Sequence, residues 1–182
     1  MADVSPVVVE EPGTGRLEVW RLPTDEITLR ALLTEGLIEP WEQVTFGPCI
    51  QGAVFEARAS RRPQASMLDG YLTVDVGGWH FHVCIGEHRE AAALARHRRT
   101  ARAELFRILG EQGPVSWGLR LFNGAGEQQL TVWLPNPFLD DRNEPLDPPD
   151  WTRLAAWDRL RASHLGLGPD PADRRATRFV HG

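Results

Sequence analysis

The chain has 182 residues, 42% of them hydrophobic and 25% charged, so one domain with a real core is expected and wholesale disorder is excluded. A net charge of −5 disfavours binding to nucleic-acid phosphates, and no nucleic-acid partner is expected. All 20 basic residues are arginine, which excludes Schiff-base, phosphate-loop-lysine and Ser-Lys chemistry and points to a bacterial-type, GC-rich composition.

Two cysteines, Cys49 and Cys84, cannot build a disulfide framework. The N-terminus lacks a basic leader, and no apolar run is long enough to cross a bilayer. A cytoplasmic protein with no membrane partner is therefore the expectation. Seven tryptophans against one tyrosine suggest large buried or interface areas.

Residues 1–15, acidic and broken by Pro6 and Pro12, read as a flexible tail. Leu17 to Leu22 alternates as a strand, and Thr24 is placed to cap a helix carrying Leu29, Leu32 and Leu33 that stops at Gly36. Gly52 to Ala59 reads as a second strand. In YLTVDVGGWHFHVCI, residues 71–85, a single strand gives inconsistent parity, whereas a hairpin closed at Gly77-Gly78 sorts the faces. Val74 then faces Phe81 and Leu72 faces Val83 on the apolar side. Asp75 faces His80, Thr73 faces His82 and Tyr71 faces Cys84 on the polar side.

The spacing of Leu94, Ala101, Leu105 and Ile108 predicts a helix over 89–109, with Glu104 and Arg107 as an exposed pair of little weight. A second hairpin is expected over 115–134, pairing Leu119 with Leu130 and Trp117 with Val132. Five prolines make 135–149 irregular, and a last helix follows with Trp151 and Leu154 and stops at Gly166. The expected fold is α+β: an antiparallel or mixed sheet with helices packed on one face, in a ferredoxin-like variant order of strand, helix, strand, hairpin, helix, hairpin, helix. The single domain spans 16–134, and 135–182 forms a proline-rich connector, a C-terminal helix and an arginine-rich tail.

His80, His82, Cys84 and His88 lie within nine residues. Alternate strand positions are roughly 6.5–7 Å apart, close enough for side chains on one face to converge on one ion. Imidazole and thiolate suit zinc, iron, copper or nickel and argue against magnesium or calcium. Asp75 is placed to orient His80, while Glu56 and Glu87 are candidate further ligands or a general base. Gly78-Trp79-His80-Phe81-His82 with Glu87 resembles the first cupin motif, which would imply a mononuclear metal, although the second cupin motif is missing. His80-Phe81-His82-Val83-Cys84 resembles the histidine-triad motif, with Cys84 where a third histidine stands, which would imply phosphate chemistry at His82. Neither resemblance extends beyond this segment.

The expected function is therefore that of a transition-metal-binding protein, a small metalloenzyme with an open His/Cys site for a small-molecule substrate. The alternatives are a non-catalytic metal or haem binding or carrier protein, and a metal-free interaction module that uses the tryptophans and the arginine run 96–99. The final helix also suits the interface of a homo-oligomer. On a bland reading, the histidine face is simply solvated.

Overall fold

A computed structural model describes residues 4–50, 52–89 and 92–178. The chain is α+β but mostly sheet, and the ferredoxin-like order is not what forms. Strand β1 (Val7–Glu11) opens it, followed by β2 (Gly15–Leu22), helix α1 (Glu26–Leu33) with a π-helical extension Thr34–Ile38, and β3 (Thr45–Gly47). Short strands β4 (Cys49–Ile50) and β5 (Ala53–Val54) precede β6 (Gln64–Leu68), β7 (Tyr71–Asp75) and β8 (His80–Cys84). Then come α2 (Ala92–Arg98), β9 (Thr100–Leu109), β10 (Pro114–Asn123), β11 (Gln128–Trp133) and α3 (Ala155–Leu165), the last between 3-10 turns at Trp151–Leu154 and Pro171–Arg174.

Four readings are corrected. The expected tail contributes β1, which pairs antiparallel with β2. The helix expected over 89–109 is short and gives way to β9 at Thr100. The reason is alternation: Ala103 and Leu105 join the main core from one face of β9, while Phe106 packs with Leu17 and Val19 on the other. Gly36 does not stop the first helix. It lies buried where a Cβ would fall 2.3 Å from a Leu119 methyl, so its role is close approach to the sheet. The N-cap is Asp25, whose side chain accepts from Thr28 N at 2.9 Å, rather than Thr24.

The main sheet is antiparallel in the order β1-β2-β9-β10-β11-β3. One face carries Trp20, Leu105, Leu119 and Val132 and is covered by α1, its π extension and α3. Trp20 meets Trp157 of α3 edge to face at 5.7 Å. The β10–β11 register places Leu119 opposite Val132 and Leu121 opposite Leu130, two residues from the expected pairing, so every side chain keeps its face. A second sheet, β6-β7-β8, packs Leu72, Val74 and Val83 onto the same core. Gly52 to Ala59 yields only β5 and an isolated bridge from Ala57 to Phe46.

The other face of the main sheet is concave. Arg120 aligns with Glu104, and Glu104 aligns with Arg21, so Glu11 would sit three strands across and six residues along from Arg120. In a flat sheet that is roughly 25 Å between Cα atoms. The two side chains nevertheless meet at 2.7 Å, which requires the sheet to coil strongly. Leu17, Val19 and Phe106 line the hollow, with Val9, Ile108 and Trp133 against them. Among the described residues no helix is long and apolar enough to cross a membrane.

Candidate functional site

The β7–β8 hairpin forms with the expected register, Asp75 opposite His80, Thr73 opposite His82 and Tyr71 opposite Cys84. Val76 N donates to Trp79 O across the Gly77-Gly78 turn, and Gly77 has φ of 115°, a conformation that favours glycine. The apolar face is buried in the core, which leaves His80 and His82 exposed on the opposite face. Their rings lie 5.0 Å apart, edge to face. The Thr73 hydroxyl is 2.8 Å from His82 Nδ1, so the ring is held by one nitrogen and Nε2 lies on its far side. A shallow depression of about 350 Å³ adjoins the pair, lined by Gln64, Ser66, Thr73, Asp75 and His80.

The remaining members of the expected site are placed differently. Cys84 keeps its register opposite Tyr71 but is 2% exposed, with Sγ 3.9 Å from Gly86 O, so it is covered rather than open beside the histidines. His88 turns to Asp69, with Nε2 3.7 Å from Oδ2, and meets the Tyr71 ring at 5.0 Å. Asp75, expected to orient His80, accepts instead from Gly77 N at 2.8 Å and from Arg61 at 3.1 Å. These bonds hold its carboxyl below the usual range. Glu56 lines a groove on the concave side, and Glu87 is exposed on the loop after β8. Among the described residues no group of three or more His, Cys, Asp or Glu is arranged to hold a metal ion.

That groove, about 1780 Å³, is far larger than the depression beside the histidines and was not legible in the sequence. It exceeds the roughly 300–1,000 Å³ of ordinary small-molecule pockets. Trp133 and Ile108 form its floor, with Glu10 to Gly15 on one wall and Ile50, Ala53 and Val54 on the other. Cys49 also lines it, half-buried, and burial pushes its thiol up. Beneath the wall lies Arg120, 7% exposed, donating from Nε to Glu104 and from both Nη atoms to Glu11. Glu104, expected on an exposed helix face, is 1% exposed and also pairs with Arg21 at 2.7 Å. Arg107 is likewise buried, on the helix side of the sheet. It is bonded to Glu18, Asp170 and Asp173.

The family described as "Family of unknown function (DUF7676)" matches residues 6–166, most of the chain. No curated protein matches. A solved structure titled "Crystal structure of ChuX" is similar at 16% identity over 81% of this chain and 76% of that one, with a TM-score of 0.52. A second, titled "Structure of the Heme Binding Protein ChuX", is similar at 17% identity over 82% and 78%, with a TM-score of 0.54. At such identities the likeness is one of fold.

Proposed function

We propose that this chain, which belongs to the Family of unknown function (DUF7676), is a non-catalytic haem-binding or haem-carrying protein that holds its ligand through His82, with His80 beside it. The observation that carries this reading is the Thr73–His82 contact. A neutral imidazole that donates Nδ1–H to Thr73 Oγ1 presents the Nε2 lone pair outward, the form in which histidine ligates haem iron. The ring stands on an exposed sheet face anchored by a buried apolar face, so it is orientated before any ligand arrives. The likeness in fold to a protein whose title calls it haem-binding supports the same choice. His82 would hold haem through Nε2, with Thr73 orienting the ring, and the haem would supply the iron centre.

The sequence favoured a metalloenzyme, and one observation keeps that as a second reading. The His80 and His82 rings stand edge to face 5.0 Å apart on one exposed face, two imidazoles of the kind that bind zinc, iron, copper or nickel. Haemin titration followed at the Soret band separates the two. A shifted band saturating at one equivalent is expected, with affinity about 10–100-fold weaker in Thr73→Val and weaker still in His82→Ala. Unchanged binding in His82→Ala would overturn the assignment. No haem uptake, together with one equivalent of metal that is lost in the His80→Ala/His82→Ala variant, would favour the metalloenzyme.

A further inference from the structure

The guanidinium of Arg120 is a buried charge on the concave face that reaches a residue of the groove wall, Glu11. Its Nη1 and Nη2 donate to the two carboxylate oxygens of Glu11 at 2.8 and 2.7 Å, a fork-to-fork contact. The rings of Phe106 and Phe122 stand 5.3 and 5.2 Å from its Cζ, and Nε is fixed by Glu104 at 2.6 Å. This is a preformed carboxylate receptor: apolar walls, a rigid fork, and a second acid that holds the fork in place.

The local charge balance favours an anion there even with Glu11 in place. Arg21, Arg102 and Arg120 surround Glu104, at 2.7, 3.6 and 2.6 Å respectively, so three cations face the two carboxylates of Glu104 and Glu11. Glu11 comes from the last position of an edge strand, next to a turn where Gly13 and Gly15 have positive φ and open space around them. Val7 and Val8 of that strand are about half exposed while Val9 packs against Leu17, Val19 and Phe106, so freeing Glu11 calls for movement of the strand end rather than of the whole strand. Glu11 itself lines the groove, and the apolar side chains of Trp133, Ile108, Ile50 and Val54 share that lining.

We propose that the Nη edge of Arg120 is a ligand site for a carboxylate carried on an apolar body, and that Glu11 occupies it as an internal stand-in until such a ligand takes its place. The ligand's carboxylate pairs with Arg120 while its apolar part lies along Trp133, Ile108 and Val54. The site is on a different sheet from His82 and stands or falls independently of haem binding.

The test uses decanoate, below its micelle threshold, with decanol as the uncharged counterpart. Calorimetry is expected to show Glu11→Gln binding decanoate about tenfold more tightly than wild type, since removing the competing carboxylate frees a charged hydrogen-bonding site. Decanol is expected to bind neither protein comparably. In wild type, nitrogen–proton NMR is expected to show the Arg120 Nε–H signal moving with decanoate and not with decanol. This readout keeps the proposal falsifiable if the Glu11 variant does not fold. Equal affinity of the two proteins for decanoate, equal binding of decanol, or an unmoved Arg120 signal would each overturn it.

Discussion

Asp173 is the sharpest test of how this chain is held together. Its carboxylate is fully buried and accepts from Trp117 Nε1 and Trp157 Nε1, each at 2.8 Å, and from Arg107 Nη1 at 2.7 Å. Arg161 Nη1 lies 3.7 Å away. One residue beyond α3 thus binds β9, β10 and α3 together. Asp173→Ala leaves two indole N–H groups buried without their acceptor and takes one of three carboxylates from Arg107, which keeps Glu18 and Asp170. An orphaned buried donor costs about 1–3 kcal/mol, and a lost hydrogen bond to a charged group about 1.5–3 kcal/mol. These terms overlap at one site, so a loss of about 4–6 kcal/mol is expected rather than their sum. For a chain of this size that corresponds to a fall in Tm of about 8–24 °C. Against a typical total of about 5–15 kcal/mol, the alanine variant is expected to be marginal. Asp173→Asn is therefore the practical probe: it keeps one acceptor oxygen but turns an amide N–H₂ toward a donor. Urea denaturation should show it less stable by at least half of the alanine value. A loss below about 1 kcal/mol, the level of an ordinary surface change, would refute the view that this carboxylate is an organising centre.

Three further outcomes follow from the same physical reasoning. At Gly118 an added Cβ would fall 2.5 Å from Val132 O and 2.7 Å from the Phe106 ring, so Gly118→Ala is expected to destabilise by about 2 kcal/mol or more in urea, as overpacking does. The Glu11 carboxyl is held below its usual value of 4.5 chiefly by its hydrogen bonds to Arg120. Its stabilising contribution is therefore present above that value and lost as pH falls through the depressed folded value. The stability gap between wild type and Glu11→Gln, measured by urea titration across pH, should be constant above about pH 5 and close at acid pH. Cys84 is 2% exposed, and burial raises the thiol of half-buried Cys49. A disulfide-exchange reagent at neutral pH should titrate one thiol slowly in the native protein and two after denaturation.

What the sequence disclosed depended on how local the information was. The β7–β8 hairpin was legible because its partners lie within fifteen residues and the Gly-Gly turn fixes their register. Its polar face could be listed from parity alone, including the Thr73–His82 pair. Cys84 could not be placed, because its burial comes from neighbours outside the hairpin: Thr100 Oγ1, for instance, bonds the Cys84 carbonyl. The helix read over 100–109 failed for a different reason. Glu104 and Arg107 look like solvated positions and leave a helical spacing of apolar residues, whereas both are buried in ion pairs, so the true period of two is hidden. The Glu11–Arg120 contact joins residues 109 positions apart through sheet coiling, which spacing does not encode.

The polar residues of this chain therefore divide by what satisfies them. Arg107, Arg120, Glu104 and Asp173 are buried and fully engaged. Removing any of them is first a loss of fold, and their lysine equivalents would lack the planar fork on which Arg120 depends. His82 is the opposite case. It is exposed, contributes no buried area, and yet one of its nitrogens is held at 2.8 Å by a neighbouring strand. An exposed side chain gains little stability from being held in place, and the proposed ligand role of His82 rests on that orientation. The same criterion separates Glu11 from Glu104. Both bond Arg120, but Glu104 is sealed between three arginines, whereas Glu11 reaches the site from a sparsely buried edge strand at the wall of a groove. Glu104 holds the receptor in shape, and Glu11 occupies it.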